Sequence, residues 1–338
     1  MLELIFFGSG PLIAYTGDTN DNSDTALVFN LMESEGAEAV VHAGDADYNN
    51  DPGAFDDFVR SHWDVPNKPY LFVVGNHDDS SNYLTVAEGF LNDAGVSWVG
   101  QAGEKFACTI YGIKHVLVAP DVSGSGHEQF LLDNLNGSQW RVGVWHKLMR
   151  HSQIGGKGNE SGWGVYNAAR QMGAIVATGH EHSFEVTYFV DNWADGIEDF
   201  LTGDNTLRLG ENFAFVSGLG GTGIRDQERC FIGDACAVAW RDIWTTTQGA
   251  SEPSGFGVMF IDYNYQDNPC LARCYFKTVN GQIKSDFLIT TQLGGCNCQY
   301  DLDNNGNVGT SDMLILLGNW DSYGTSDFLA LLGSWGDC

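Results

Sequence analysis

Five short apolar runs, at residues 12–16, 39–43, 70–74, 142–145 and 174–178, punctuate the first half of the chain, and each gives way to a polar cluster. Runs of four or five apolar residues without alternation read as strands buried on both faces. Helical patterns lie between several of them, at 25–34, 54–61, 83–94 and 165–172. Strand and helix therefore alternate as in an α/β fold. Beyond residue 183 the pattern changes, and 184–190, 213–216, 257–262, 273–279 and 283–289 read as strands joined by glycine-rich, acidic loops. These later strands are expected to complete a second sheet packed on the first. The stretches 191–212 and 225–253 read as loops that wall a site or elaborate the surface.

A second unit is expected after Gly294, which divides the chain into 1–294 and 295–338. Asp301, Asp303, Asn305, Asn307 and Asp312 fall in a run with oxygens at positions 1, 3, 5 and 12 and Gly306 at position 6, the spacing that a tight calcium loop uses. The segment from Gly309 to Trp320 is echoed from Gly324 to Trp335, an internal repeat of period 15. Only its helix half is duplicated, so one Ca2+ is expected and not two. The segment resembles a dockerin-type calcium repeat, here a small helical tail, which implies attachment to a protein or cell-surface partner.

Charge narrows the setting. Asp and Glu number 44 against 16 Lys and Arg, a formal net charge of -28. Such a surface repels nucleic acid and anionic membrane, and favours small substrates. No apolar run approaches the 18 or so residues that span a bilayer, and no signal peptide is evident at residues 1–10. The cysteines are eight, an even number. The close pairs Cys230 with Cys236 and Cys270 with Cys274 read as loop staples, and with the sequons at Asn136 and Asn159 they point to a secreted, extracellular protein.

The polar clusters carry the chemistry. G-D-T-N, G-D-A-D-Y, G-N-H-D, V-x-H and G-H-E-H place Asp18, Asp45, Tyr48, Asn76, His146, His180 and His182 just beyond the ends of the five runs. In open α/β sheets ligands gather beyond the carboxyl ends of strands. Mixed oxygen and imidazole donors suit zinc, iron or manganese. Asp45 can give one carboxylate oxygen to each of two cations. Two such cations, roughly 3.5–4 Å apart, hold a phosphate ester and lower the pKa of a bound water, so the attacking hydroxide would come from the metals.

These motifs resemble those of the calcineurin-like metallophosphoesterases and, within them, the purple acid phosphatases, over about residues 12–290. The resemblance implies a four-layer αββα sandwich of two mixed sheets. It assigns Asp18, Asp45, Tyr48 and His182 to one metal, and Asp45, Asn76, His146 and His180 to the other. Tyr48, three places after the shared aspartate, is the mark of the purple acid phosphatases. Its phenolate implies iron, paired with zinc, manganese or a second iron. Asn20 departs from the glycine common there.

By the same resemblance His77 faces the bridging position, contacting phosphate or protonating the leaving group; its other reading is structural, through a hydrogen bond to Asp78. Lys147, Arg150 and His151 form the densest cationic cluster of an acidic chain and are candidates for phosphate contact. The glycine-rich stretch 155–160 reads as an active-site loop from which Lys157 reaches substrate. His42, His62, His115 and His127 read as core or surface residues. The expected function is phosphomonoester hydrolysis. Its alternatives are a phosphodiesterase on the same metals, and a cell-surface binding or scaffold protein with an inert phosphoesterase fold.

Overall fold

The computed structural model describes residues 10–296, 300, 302, 307–333 and 335–337. The first elements are β1 (Leu12–Thr16), α1 (Ser23–Glu35), β2 (Ala39–His42), α2 (Pro52–His62), β3 (Tyr70–Phe72) and α3 (Asn82–Asp93). There follow β4 (Trp98–Gln101), β5 (Lys105–Ile110), β6 (Ile113–Val118), α4 (His127–Asn134), β7 (Arg141–Trp145), α5 (Trp163–Gln171) and β8 (Ile175–Thr178). Next come β9 (Phe184–Thr187), β10 (Thr206–Leu207), β11 (Ala214–Ser217), β12 (Trp240–Trp244), β13 (Gly257–Tyr263), β14 (Leu271–Thr278) and β15 (Ile283–Thr291). The chain closes with β16 (Asn307–Val308), α6 (Thr310–Gly318), α7 (Thr325–Gly333) and β17 (Gly336–Asp337).

Local chemistry sets several of these limits. The Asn22 side chain accepts from the N–H groups of Asp24 and Thr25 and so caps α1, which ends where Gly36 takes a φ of +79°. Asp51 caps α2 in the same way, with Pro52 in the first turn, where its missing N–H costs nothing.

Two mixed sheets result, as the apolar runs lead one to expect, but the chain assembles them differently. The seven-stranded sheet runs β10-β15-β14-β13-β1-β2-β3 and the eight-stranded sheet β12-β9-β11-β8-β7-β6-β5-β4. The expectation that the early strands build one sheet and the later ones the other is therefore corrected. Strand β1 pairs in parallel with β2 and antiparallel with β13, some 240 residues on, while β7 and β8 belong with β9 and β11. Strand pairing is non-local, and an apolar run carries no mark of its partner.

The sheets face each other across a continuous apolar core. Phe184 on β9 stacks on Phe276 of β14 with centroids 4.0 Å apart, and the Tyr15 hydroxyl on β1 lies 3.1 Å from Nε2 of His115 on β6. A second core, including Leu131, Trp145, Tyr166 and Val176, fills the space beneath α4 and α5 on the outer face of the eight-stranded sheet. Tyr300, Val308, Leu316 and Leu331 form a small core of their own at the C-terminal end. No helix of the described residues is long and apolar enough to cross a membrane.

Among the described residues two disulfides are present, Cys230–Cys236 and Cys270–Cys296. The expected pair Cys270–Cys274 is corrected, and Cys274 is a buried free thiol. Cys274 lies within β14, and four residues of extended chain from Cys270 to Cys274 span about 13 Å, beyond the ~7 Å limit that a disulfide tolerates between Cα atoms. Cys298 and Cys338 lie outside the described residues.

Candidate metal centre

The parallel strands β1, β2 and β3 end at one edge of the seven-stranded sheet, and the loops that leave them carry Asp18, Asp45, Tyr48 and Asn76. Strands β7 and β8 end opposite, on the eight-stranded sheet, and deliver His146, His180 and His182. The two edges approach so closely that side chains are excluded between them. A Cβ on Gly44, which has a φ of +87°, would stand 2.8 Å from the Gly75 nitrogen and from the His146 side chain. One on Gly75 would fall onto the Asp45 carboxylate. Asp18, Asp45 and His180 themselves take left-handed backbone, with φ of 55°, 55° and 71°. That conformation turns each side chain sharply off its strand, at a cost in local strain.

Six of the seven residues meet as two groups that share Asp45. In the first, the Tyr48 hydroxyl lies 3.1 Å from Asp18 Oδ1, 3.3 Å from Asp45 Oδ2 and 2.9 Å from His182 Nε2. His182 Nε2 is 3.4 Å from Asp18 Oδ1. In the second, Asp45 Oδ2 is 3.1 Å from His146 Nε2, which is 3.1 Å from His180 Nδ1. Ligand atoms of Asp45, His146 and His180 all fall within 4.8 Å of one another, a group able to hold a metal ion. The Oδ1 atom of Asn76 is buried with no hydrogen-bond partner.

Several contacts fix these groups in place. Nδ1 of His146 donates to the Ala43 carbonyl at 2.8 Å, which leaves the Nε2 lone pair free. The backbone N–H of His180 donates to Asp18 Oδ2 at 2.7 Å and that of His77 to Asp45 Oδ1 at 2.9 Å. Asp78 clamps the loops after β2 and β3 by accepting from the N–H groups of Gly75, Asp45 and Ala46.

The electrostatics match a cation site. Asp18 and Asp45 are almost wholly buried, and two such carboxylates are unfavourable together without positive charge. Burial alone pushes the Asp18 carboxyl up, but the hydrogen bond and charge of His182, with His146 and His180, hold it well below the ordinary range. Burial likewise opposes charge on His146, yet the adjacent Asp45 carboxylate pushes its pKa up to about 9. His180 goes the other way, down to about 2, through burial and the charges of His146 and Lys157. Burial and the two carboxylates push the Tyr48 phenol above its ordinary value, so its deprotonation calls for a cation. Buried anions and imidazole lone pairs that converge on shared space fit a bound metal ion.

The remaining candidates are distributed as follows. His77 lays its ring against Tyr48, with centroids 4.4 Å apart. Lys147 is ion-paired with Asp121 at 2.8 Å. The Arg150 carbonyl accepts from Arg229, and its N–H donates to Asn159 Oδ1. His151 Nδ1 accepts from the Gly196 N–H and Nε2 lies 4.0 Å from Asp195. None of these contacts of Lys147, Arg150 or His151 is with a predicted ligand. Among the cations, the charge of Lys157 bears on His180 and Asp18, and that of Arg225 on Tyr48. The guanidinium of Arg225 donates to the His180 carbonyl at 3.1 Å and stays 41% exposed. The sequence gives Arg225 no role of its own, although it opens the 225–253 stretch that reads as walling a site or elaborating the surface. It also gave no role to Glu160, whose Oε2 lies 2.8 Å from His180 Nε2.

Of the predicted calcium ligands, Asp301, Asp303 and Asn305 lie outside the described residues, and only the backbone of Asn307 is described. The Asp312 carboxylate accepts from the N–H groups of Leu302 and Gly309, at 2.6 and 2.8 Å.

Residues 11–184 match the family described as calcineurin-like phosphoesterase. No curated protein matches the chain. Among solved structures, purple acid phosphatase PPD1 from yellow lupin (Lupinus luteus) seeds is similar with a TM-score of 0.61 at 14% identity, over 83% of this chain and 54% of that one. GAP50, the anchor in the inner membrane complex of Plasmodium, gives a TM-score of 0.49 at 13% identity, over 84% and 89% of the two chains. PhoD gives 0.45 at 12% identity, over 85% and 73%. At such identities the likeness is one of fold, and the chain spans about half the length of the lupin protein.

Proposed function

The chain belongs to the calcineurin-like phosphoesterase family, and we propose that it is a metal-dependent phosphomonoesterase of the purple acid phosphatase kind. Asp18, Asp45, Tyr48 and His182 would hold one transition-metal ion, and Asp45, Asn76, His146 and His180 the other. The observation that carries this reading is the shared position of Asp45, whose Oδ2 lies 3.3 Å from the Tyr48 hydroxyl and 3.1 Å from His146 Nε2. Tyr48 speaks for iron in the first position, with zinc, manganese or a second iron in the other.

Bound there, two such ions offset the charge of the phosphoryl oxygens and acidify a water near neutral pH. The protein's own groups do the rest. Lys157 and the exposed Arg225 guanidinium supply donors for phosphate oxygens that face away from the ions. Lys147, ion-paired with Asp121, and Arg150 remain further candidates for phosphate contact. His77, whose ring lies against Tyr48, is the candidate to protonate the leaving group. The disulfides support an extracellular setting. Residues 295–338 are read as a separate calcium-binding unit for a protein or cell-surface partner.

The test compares hydrolysis of p-nitrophenyl phosphate with that of bis-p-nitrophenyl phosphate by the native protein, Asn76→Ala and His180→Ala, with metal content measured on the same samples. Monoester turnover that disappears in both variants is the expected result. Preference for the diester would make the protein a phosphodiesterase. Metal-loaded protein inert toward both esters from acid to alkaline pH would overturn the hydrolase reading in favour of a binding role.

A further inference from the structure

We propose that Glu160 is the positioning residue of His180: its carboxylate holds the proton of that imidazole on Nε2, so that Nδ1 is the atom offered to the cation shared with Asp45 and His146. This rests on the metal-centre reading above and adds to it a residue from the glycine-rich loop.

Two neighbouring imidazoles meet the same requirement by different means. Each must present one bare nitrogen to a cation and keep its proton on the other. His146 meets it with backbone, since its Nδ1–H donates to the Ala43 carbonyl at 2.8 Å and Nε2 is left facing Asp45. In His180 the nitrogen that faces the group is Nδ1, 3.1 Å from His146 Nε2, so the proton belongs on Nε2. That Nε2 is buried and has no hydrogen-bond partner. Oε2 of Glu160, also buried and without a hydrogen-bond partner, lies 2.8 Å away. A buried donor and a buried acceptor left unpaired at that separation are each costly, and a small rotation of either side chain satisfies both.

The loop delivers the carboxylate on a fastened backbone. Ile154 N–H donates to Glu185 Oε2 at 2.9 Å, and Gly155 lies so close to the Glu181 carboxylate that a Cβ there would collide with it. At the other end, Glu160 N–H donates to the Leu148 carbonyl at 3.0 Å and Asn159 Oδ1 accepts from the Arg150 N–H at 2.9 Å. An anion accepting from Nε2–H fixes the tautomer, aims the ring and makes Nδ1 a better donor to metal; loss of such an outer partner weakens metal binding by typically 10–100-fold.

The test uses the full chain, stripped of metal by chelation and titrated with Zn2+, in wild type, Glu160→Ala, Glu160→Gln and His180→Ala. Three readouts are taken: bound metal per chain by plasma mass spectrometry, affinity by competition with a fluorescent chelator, and the melting temperature of the metal-free forms. Glu160→Ala is expected to weaken one of the two ions by about 10–100-fold while the metal-free melting temperature is unchanged. Glu160→Gln should recover part of the loss, because an amide oxygen still accepts from Nε2–H. His180→Ala should lose that ion outright. If both Glu160 variants bind two ions as the wild type does while His180→Ala does not, the role of Glu160 is overturned and the metal centre stands. If His180→Ala itself keeps two ions at full affinity, the premise fails instead. A loss in Glu160→Ala that Gln does not rescue and that comes with a lower metal-free melting temperature would assign Glu160 to the fold alone.

Discussion

The two sheets bring opposite chemistry to the seam between them. The seven-stranded sheet carries the oxygen donors Asp18, Asp45, Tyr48 and Asn76; the eight-stranded sheet carries the imidazoles of His146, His180 and His182. Burial treats these sets differently. A neutral imidazole can be buried on its own at modest cost, whereas two carboxylates buried at one edge need a compensating cation or proton. The oxygen side therefore depends on what occupies the seam, and the imidazole side does so much less. The pKa of about 9 at His146 expresses this dependence, since in the absence of metal a proton held beside Asp45 supplies the missing charge.

The strongest way to break the comparison is to remove one donor from each side. Asp45→Asn should lose both metals and with them activity, by more than the roughly 100-fold that marks loss of an outer partner. His182→Ala should lose one metal only, as should Tyr48→Phe on the oxygen side. Metal counts on the purified variants decide it, and a His182→Ala protein that retained neither ion would show that the sharing does not run through Asp45 alone.

Next in size is the proton at His146. Its folded pKa of about 9 lies above the ordinary 6.5, so its contribution to the metal-free fold is complete below pH 6.5 and is lost as the pH rises through about 9. The loss should be on the order of 3 kcal/mol in urea unfolding of the chelated protein. By the same linkage, metal uptake near pH 7 should expel about one proton, measurable by calorimetry in buffers of different ionisation enthalpy. Uptake without proton release would mean that metal does not replace a proton there.

An acid-side effect should be common to the two sheets. His42 on β2 and His115 on β6 are fully buried, and burial pushes both down to about 3. Here the sign is reversed, because the unfolded chain binds the extra proton. Stability is complete above pH 6.5 and should fall by roughly 1.4 kcal/mol per pH unit for each histidine as the pH drops toward 3. Melting temperatures between pH 7 and 4.5 test this, and a flat profile would refute it. Smallest of all, Tyr15→Phe removes a hydroxyl that links His115 and Tyr263. It should cost about 1 kcal/mol and leave the metal count unchanged.

Much of the seam was legible in the sequence, because the features that build it are local. An apolar run that ends in glycine followed by aspartate, asparagine or histidine describes both a buried strand and the turn that ends it, and β1, β2, β3 and β8 lie where such runs predict them, while β7 lies on an apolar run that passes directly to His146. Strands β4, β5 and β6 were missed. Trp98–Gln101 is a largely exposed edge strand, while Lys114 and His115 interrupt the apolar pattern of Ile113–Val118, although His115 is fully buried there. Which sheet a strand joins was not legible, nor was the partner of Cys270. Arg225 and Glu160 were overlooked for a related reason: a polar residue in a glycine-rich loop looks the same whether it faces solvent or a ligand, and only the fold distinguishes the two.

The left-handed backbone at Asp18, Asp45 and His180 has a consequence for how the protein would respond to selection. At each of these positions glycine would relieve strain, and at the aspartates it would also remove a buried charge. The metal centre is thus held where stability alone would not put it. A mutant library screened only for survival after heating, with no requirement for turnover, should accumulate substitutions at these three residues early, and so lose its catalytic centre while its fold became more robust.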